Sequence, residues 1–237
     1  MRVISLLTII QNAAYRLGIP SPSAVIGTSD TQVKQLLGLA QQEGIELARM
    51  GPWQALVKEK TFTATATETQ TSVLPDDFGW IIEGSFWNRT ASRKVMGPLD
   101  PQKWQALKTG LFVSIWDAYR IRGASLMMNP TPNAGDSMAF EYVSSYWCTS
   151  ADGLTERSAW AADDDVAKLR EELITLGVIW RFLKAKGLDY SEAFRTYQME
   201  ITRDMGRDGG TRILDMAYDQ GGSGAFDPYV PEGNWTL

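Results

Sequence analysis

The hydrophobic periodicity of the chain changes twice along its length, and this order limits the folds that it can adopt. Apolar residues recur at helical spacing near both ends of the chain, first over residues 5–50 and again from residue 166. Between these segments, residues 53–148 are rich in threonine and aromatic residues and contain alternating runs, which are typical of strands. Because helices and strands are segregated, the pattern predicts an α+β protein rather than alternating βαβ units.

The simplest fold with this order has a helical bundle core from both chain ends, an inserted antiparallel β-rich lobe and an extended C-terminal tail. We therefore predict a discontinuous helical bundle domain of residues 1–52 and 159–205, and a β-rich lobe of residues 53–158. Residues 206–237 are rich in glycine and turn residues and are predicted to form the extended tail.

Capping residues and helix breakers predict where the helices begin and end. Ser5 suits the N-cap of the first helix, Gly18 suits its end, and the second helix is predicted to begin at Ser29 or Asp30. The acidic run Asp163–Asp165 precedes an apolar-periodic segment, so we expect it to cap the long helix that follows. A subunit contact and a metal site are the two alternatives for this run.

Two adjacent residues of that long helix are expected to face opposite ways. Trp180 is predicted to point inward and Arg181 outward. A solvated charge is the default for Arg181, and a pair with an acidic residue of a neighbouring subunit is the alternative.

The amino-acid composition excludes most types of catalytic site. The 237-residue chain contains no histidine, which removes the commonest general base and the commonest metal ligand. Its one cysteine, Cys148, cannot form an internal disulfide and is expected to be a buried or semi-buried thiol. We therefore predict that the protein is not an enzyme and has no catalytic residues, no metal and no cofactor. Chemistry that needs carboxylates alone, such as glycoside hydrolysis, stays open.

The β-rich segment offers the main alternative function, which is carbohydrate binding or cleavage. Asp76, Asp77 and Glu83 are its candidate carboxylates, although Asp76 and Asp77 follow Pro75 and suit a turn. Its aromatic residues can form a stacking platform, but on alternating strands most such residues face a core. The candidate platform residues are Trp80, Phe86, Trp87, Trp116, Tyr142, Tyr146 and Trp147.

The net charge and the hydropathy pattern limit the kinds of partner that the protein can bind. The net charge of −5 and the lack of any lysine or arginine block argue against tight, non-specific binding of nucleic acid. A mildly acidic surface suits a protein partner or a channel wall that must not retain DNA. No segment approaches the ~20 consecutive apolar residues of a membrane span, so we expect a soluble protein made in the cytoplasm.

The glycine-rich tail carries isolated large side chains, which is the pattern of a segment that becomes ordered on a partner. Packing of this arm on its own domain is the alternative. The predicted partner-binding residues are Ile213, Leu214, Tyr218, Phe226, Tyr229 and Trp235.

A set of short strings, in this order, resembles phage head-to-tail adaptor proteins, also called head-tail connector or tail tubular protein A-like proteins. The strings are QLLGLAQQEGIELA at 35–48, LPDDF at 74–78, GPLDPQKW at 97–104, YRI at 119–121, NPTP at 129–132, FEY at 140–142, DDD at 163–165, LGVIWR at 176–181 and KAKGLDY at 184–190. The resemblance covers roughly residues 1–205, and no string of residues 206–237 contributes to it.

The resemblance implies a structural virion protein at the head-tail junction. It implies a homo-oligomeric ring of twelve copies that binds the portal protein on one face and the tail nozzle protein on the other. DNA would pass through the lumen without specific binding during genome ejection, and no membrane is involved. In such a ring, Arg181, Asp163 and Asp164 are our candidates for the subunit interface. A DNA-binding head-completion factor is a third possibility, which the net charge disfavours.

Overall fold

A computed structural model of the protein describes residues 4–109 and 114–209. These residues contain both α-helices and antiparallel sheets, which confirms the predicted α+β class. They form two compact units, one made of residues 4–57 and 144–209 and the other of residues 58–143. None of the helices in the described part of the chain is long and apolar enough to cross a membrane.

The elements are numbered in chain order. The helices are α1 (Leu6–Leu17), α2 (Thr31–Met50), α3 (Pro101–Thr109), α4 (Glu171–Ala185) and α5 (Ser191–Asp208), with a 3-10 helix at Gln54–Leu56. The strands are β1 (Val57–Thr63), β2 (Thr69–Gln70), β3 (Phe78–Ile81), β4 (Trp87–Asn88), β5 (Arg93–Lys94), β6 (Ala118–Arg122), β7 (Ser125–Asn129), β8 (Ser137–Ser144), β9 (Cys148–Thr149), β10 (Glu156–Arg157) and β11 (Val166–Ala167).

The first two helices begin and end at the predicted signals. The Ser5 hydroxyl accepts a hydrogen bond from the Thr8 amide, and Gly18 ends α1 in the left-handed conformation with φ of 68°. The Asp30 carboxylate accepts a hydrogen bond from the Gln32 amide at the start of α2. The predicted start and end of α1 and the predicted start of α2 are therefore confirmed.

Helix α4 is the central helix of the first unit, because α1, α2 and α5 all pack against it. Its predicted start is wrong. Arg170 is the N-cap, and the helix proper begins at Glu171, six residues after the acidic run. Val166, which was expected in the first helical turn, instead pairs with Thr149 in a small antiparallel sheet of order β10-β9-β11. Sheet pairing thus overrides the local helical pattern of residues 166–170.

The second unit consists of two sheets around one apolar core. In the larger sheet β8 pairs with β1, β3 and β4, and β5 pairs with β4; the smaller sheet has the order β2-β7-β6. The register places Trp87 opposite Ala139, so that Phe86, the preceding residue, faces the opposite side, where it is buried in the core. The core also contains Ala64, Val73, Ile81, Val95, Tyr119, Leu126, Met128, Met138, Phe140 and Tyr142.

Candidate functional site

An ion cluster lies inside the first unit, where α2, α4 and α5 meet. The Glu43 carboxylate of α2 is fully buried and accepts hydrogen bonds from Arg181 of α4 and from the Tyr197 hydroxyl of α5, the latter at 2.5 Å. A second nitrogen of Arg181 donates to Glu46 at 2.5 Å. Because a buried charge requires a partner, the three helices are joined through Glu43.

The surroundings of this cluster are adapted to its charges. A Cβ atom on Gly177 would overlap the Glu43 carboxyl group, so the absence of a side chain in α4 makes room for the acid. Burial raises the pKa of Tyr197, which keeps its hydroxyl protonated and able to donate to Glu43.

The predicted outward orientation of Arg181 is therefore wrong. Its side chain is 6% exposed, whereas Trp180 is only partly buried. The signal that could have revealed this site is Glu43 itself. Glu43 occurs at helical spacing with the apolar residues Ala40 and Leu47, and therefore lies on the buried face of α2. An acid on an apolar face predicts a buried basic partner on an adjacent element.

Above the ion cluster lies a groove bounded by α2, α4 and α5. It consists of two cavities of about 510 Å³ and 610 Å³, and Glu46, Trp180 and Arg181 line both of them. Lys184 lines the first cavity, and Phe194 lines the second. We call this feature the Trp180 groove.

The Trp180 groove combines aromatic surface with one cation, Lys184, that has no carboxylate partner among the described residues, whereas Arg181 is paired with Glu43 and Glu46. The Trp180 ring lies 4.9 Å from the Phe194 ring in an edge-to-face arrangement, and the Arg181 guanidinium carbon is 4.4 Å from the Trp180 ring centre. The ammonium of Lys184 lies 5.7 Å from the same ring and 5.9 Å from that of Tyr190. A groove of this composition suits a partner with aromatic side chains and carboxylates.

The three acids of the run at 163–165 have separate roles in one loop. The Asp163 carboxylate accepts hydrogen bonds from the amides of Val25, at 3.1 Å, and Ile26, at 2.7 Å. Asp164 is exposed to solvent. The three carboxylates therefore do not converge on a common ligand, and the prediction that they cap α4 is wrong.

Asp165, the last acid of the run, is fully buried. Its carboxylate pairs with Arg157 at 2.5 Å and accepts hydrogen bonds from two loop amides, those of Ala161 and Ala162. The backbone carbonyls of Asp165 and Asp163 also accept the amides of Leu6 and Leu7, so the loop satisfies two amides at the start of α1.

The aromatic residues considered for a carbohydrate platform are divided between core and surface. Phe86, Tyr142 and Trp147 are buried, and Trp116 is exposed. Trp80, Trp87 and Tyr146 are partly buried. Phe86 and Tyr142 belong to the core of the second unit and Trp147 to the first unit, so the seven do not form one platform.

The candidate carboxylates of the second unit also have separate positions. Asp77 is buried, pairs with Lys58 at 2.6 Å and accepts a hydrogen bond from the Tyr142 hydroxyl at 2.9 Å. Asp76 and Glu83 are exposed. Asp77 therefore stabilises the packing of the second unit.

The predicted partner-binding residues of the tail, Ile213, Leu214, Tyr218, Phe226, Tyr229 and Trp235, lie outside the described residues.

Comparison with known protein families identifies a match over most of the chain. The model of the SU10 adaptor protein family matches residues 4–222 of the chain. No curated protein matches the sequence.

Proposed function

Because the chain belongs to the SU10 adaptor protein family, a family of phage head-to-tail adaptors, we propose that it forms a ring between the portal and the tail nozzle. The ring contains twelve copies, and the genome passes through its lumen during ejection. The observation that carries this proposal is the extent of the family match, which includes every described residue of both units. The family is one of structural proteins and not of enzymes.

The two units suggest that different parts of each copy have different roles in the ring. In this proposal, helices from both chain ends form the bundle core of residues 1–52 and 159–205, which packs beside its neighbours. The β-rich lobe of residues 53–158 projects from the ring. The tail residues from Ile213 to Trp235 reach the portal or the next copy. The division of the described residues into two compact units supports a proposal of this kind, with unit boundaries after residues 57 and 143.

The three residues assigned to the subunit interface contribute to it in different ways. Asp164 is exposed, and we propose that it contacts the neighbouring copy directly. Arg181 holds Glu46, whose side chain is 42% exposed, and Asp163 holds the loop at Val25 and Ile26. Arg181 and Asp163 therefore act by positioning surfaces for the contact.

The experiment that tests this proposal is negative-stain electron microscopy of the purified protein with and without the portal protein. We expect rings, or portal particles that gain an additional layer of density with the symmetry of the ring. A protein that stays monomeric and never joins the portal would contradict the proposal.

A further inference from the structure

We propose that the Trp180 groove receives the C-terminal segment, residues 210–237, of a neighbouring copy of this chain. This inference rests on the proposed ring and names the contact that links one copy to the next. It assigns the receiving site to α2, α4 and α5, and the donated segment to the residues that follow α5.

The first argument concerns the volume of the groove and the unpaired charge of Lys184. Its two cavities, of about 510 Å³ and 610 Å³, fall within the range of roughly 300–1,000 Å³ that is typical of binding sites. Within residues 4–109 and 114–209, Lys184 contacts aromatic rings but has no carboxylate partner. An acidic, aromatic occupant would supply the missing carboxylate.

The second argument is that the C-terminal segment combines aromatic residues with negative charge. Each of its four aromatic residues has a carboxylate within three positions in the sequence. Tyr218 is next to Asp219, Phe226 and Tyr229 lie on either side of Asp227, and Trp235 follows Glu232 by three positions. The segment contains one arginine and four acids, which gives it a net charge of −3. Each pair can place a ring against Trp180 and Phe194 and a carboxylate against Lys184.

The third argument concerns reach and symmetry. The described residues end just after α5, and residues 210–237 follow, which span at most about 100 Å when extended. A segment donated to a groove on the next copy is a heterologous contact, and repetition of such a contact by rotation closes a ring. The same segment in its own groove would link no copies, so the neighbouring copy is the occupant that fits the proposed assembly.

The test uses zero-length carbodiimide crosslinking of full-length protein assembled on the portal. Rings are prepared from an equal mixture of unlabelled and ¹⁵N-labelled subunits, and crosslinked peptides are identified by mass spectrometry. We expect Lys184 joined to Asp219, Asp227 or Glu232, with mixed isotope pairs that identify a contact between copies. Lys34, an exposed lysine of α2 outside the groove, is the matched control and is expected to give at least fivefold fewer such crosslinks.

Charge-reversal variants test whether the crosslinked residues stabilise the ring or are only close in space. We expect Lys184→Glu to weaken ring assembly about fivefold, because an attraction becomes a repulsion, whereas Lys34→Glu has little effect. Lysine at the crosslinked tail position should then restore assembly of Lys184→Glu. Rings without Lys184–tail crosslinks, or with crosslinks only within one copy, would overturn the inference and leave the proposed function intact. Absence of rings in every sample would overturn the proposed function, and this inference with it.

Discussion

The side chain of Glu43 illustrates how a single residue organises one unit of this protein. Its carboxylate is fully buried and is surrounded by Arg181 and Tyr197 from two other helices. Removal of either charge would leave the other one uncompensated in a low-dielectric interior. The pair therefore makes the packing of α2, α4 and α5 mutually dependent.

We expect Glu43→Ala to lower the free energy of unfolding by about 3–5 kcal/mol, because it leaves Arg181 buried without its main partner. Glu46→Ala is the matched control. It removes the other carboxylate of Arg181, but that side chain is 42% exposed, so the loss should stay within about 1 kcal/mol. Urea unfolding of both variants checks the prediction, and equal losses would contradict it.

The buried thiol of Cys148 is expected to make the stability of the fold depend on pH. Its thiol is buried beside the carbonyl oxygens of Arg157 and Ala159, each 3.3 Å from Sγ. Burial, with a further contribution from Asp165, raises the pKa of Cys148 from 9.0 to about 12. Because the folded state holds this proton more tightly, the group stabilises the fold below about pH 9, and this stabilisation is lost as the pH rises toward 12.

We therefore expect the unfolding free energy of the wild-type protein to fall more steeply between about pH 9 and pH 11 than that of Cys148→Ala. The comparison of the two proteins removes the contribution of lysine and tyrosine residues, which titrate in both. Chemical unfolding at several pH values measures the slopes. Parallel slopes would show that the thiol does not titrate differently in the folded and unfolded states.

The residues of the candidate site were only partly predictable from the sequence. Arg181 was identified, but its orientation was wrong because Trp180, its larger and more apolar neighbour, was given the inward position. The reason lies in long-range pairing, since Glu43 is 138 positions away in the chain. Periodicity in α2 indicates that Glu43 is buried and needs a basic partner, but it does not identify the residue of another helix that supplies it.

At the scale of the helix, two glycines test how closely α2 and α4 approach each other. Gly177→Ala is expected to destabilise the protein by about 1–3 kcal/mol, because the added methyl group would overlap the Glu43 carboxyl group. Gly38→Ala is the control, since a Cβ there meets nothing within 4 Å and alanine favours a helix by up to about 1 kcal/mol. Thermal unfolding should move the two variants in opposite directions. A stabilised Gly177→Ala variant would contradict this account.

The loop at 163–165 gives a second prediction at this scale. Asp163→Ala removes the acceptor of the Val25 and Ile26 amides and should cost about 1–3 kcal/mol, with faster hydrogen exchange at these two amides. Asp164→Ala replaces an exposed side chain and should change stability by less than about 0.5 kcal/mol. If exchange at Val25 and Ile26 is unchanged in Asp163→Ala, the loop is held by other contacts.

Local sequence signals predicted the helix caps correctly but did not predict the strand pairing. Both ends of α1 and the start of α2 were predicted correctly because Ser5, Gly18 and Asp30 act on their own backbone neighbours. The start of α4 was wrong because residues 166–167 pair with a strand 17 or more residues earlier in the chain. Local periodicity cannot reveal that pairing, and for the same reason the sheet β10-β9-β11 was not predicted.

At the scale of the whole molecule, charge is distributed unevenly along the chain. Residues 58–143 contain nine basic and nine acidic residues, so this unit is neutral, and the net charge of −5 resides in the remaining segments. Many of the basic residues are paired with carboxylates of the same unit, as Lys58 is with Asp77 and Arg170 with Asp204. Paired cations release few counterions from DNA, which suits the proposed passage of the genome through the ring.

We therefore expect the full-length protein to bind double-stranded DNA weakly, with a Kd no tighter than about 10⁻⁴ M at physiological salt. Filter binding or fluorescence anisotropy over a salt titration measures this affinity and its salt dependence. The double variant Asp76→Lys and Glu83→Lys is the positive control. It adds four units of positive charge at exposed positions of the neutral unit and should bind more tightly, with a steeper salt dependence. Micromolar binding by the wild-type protein would instead favour a DNA-binding head-completion factor, because a channel that retains DNA would slow its passage.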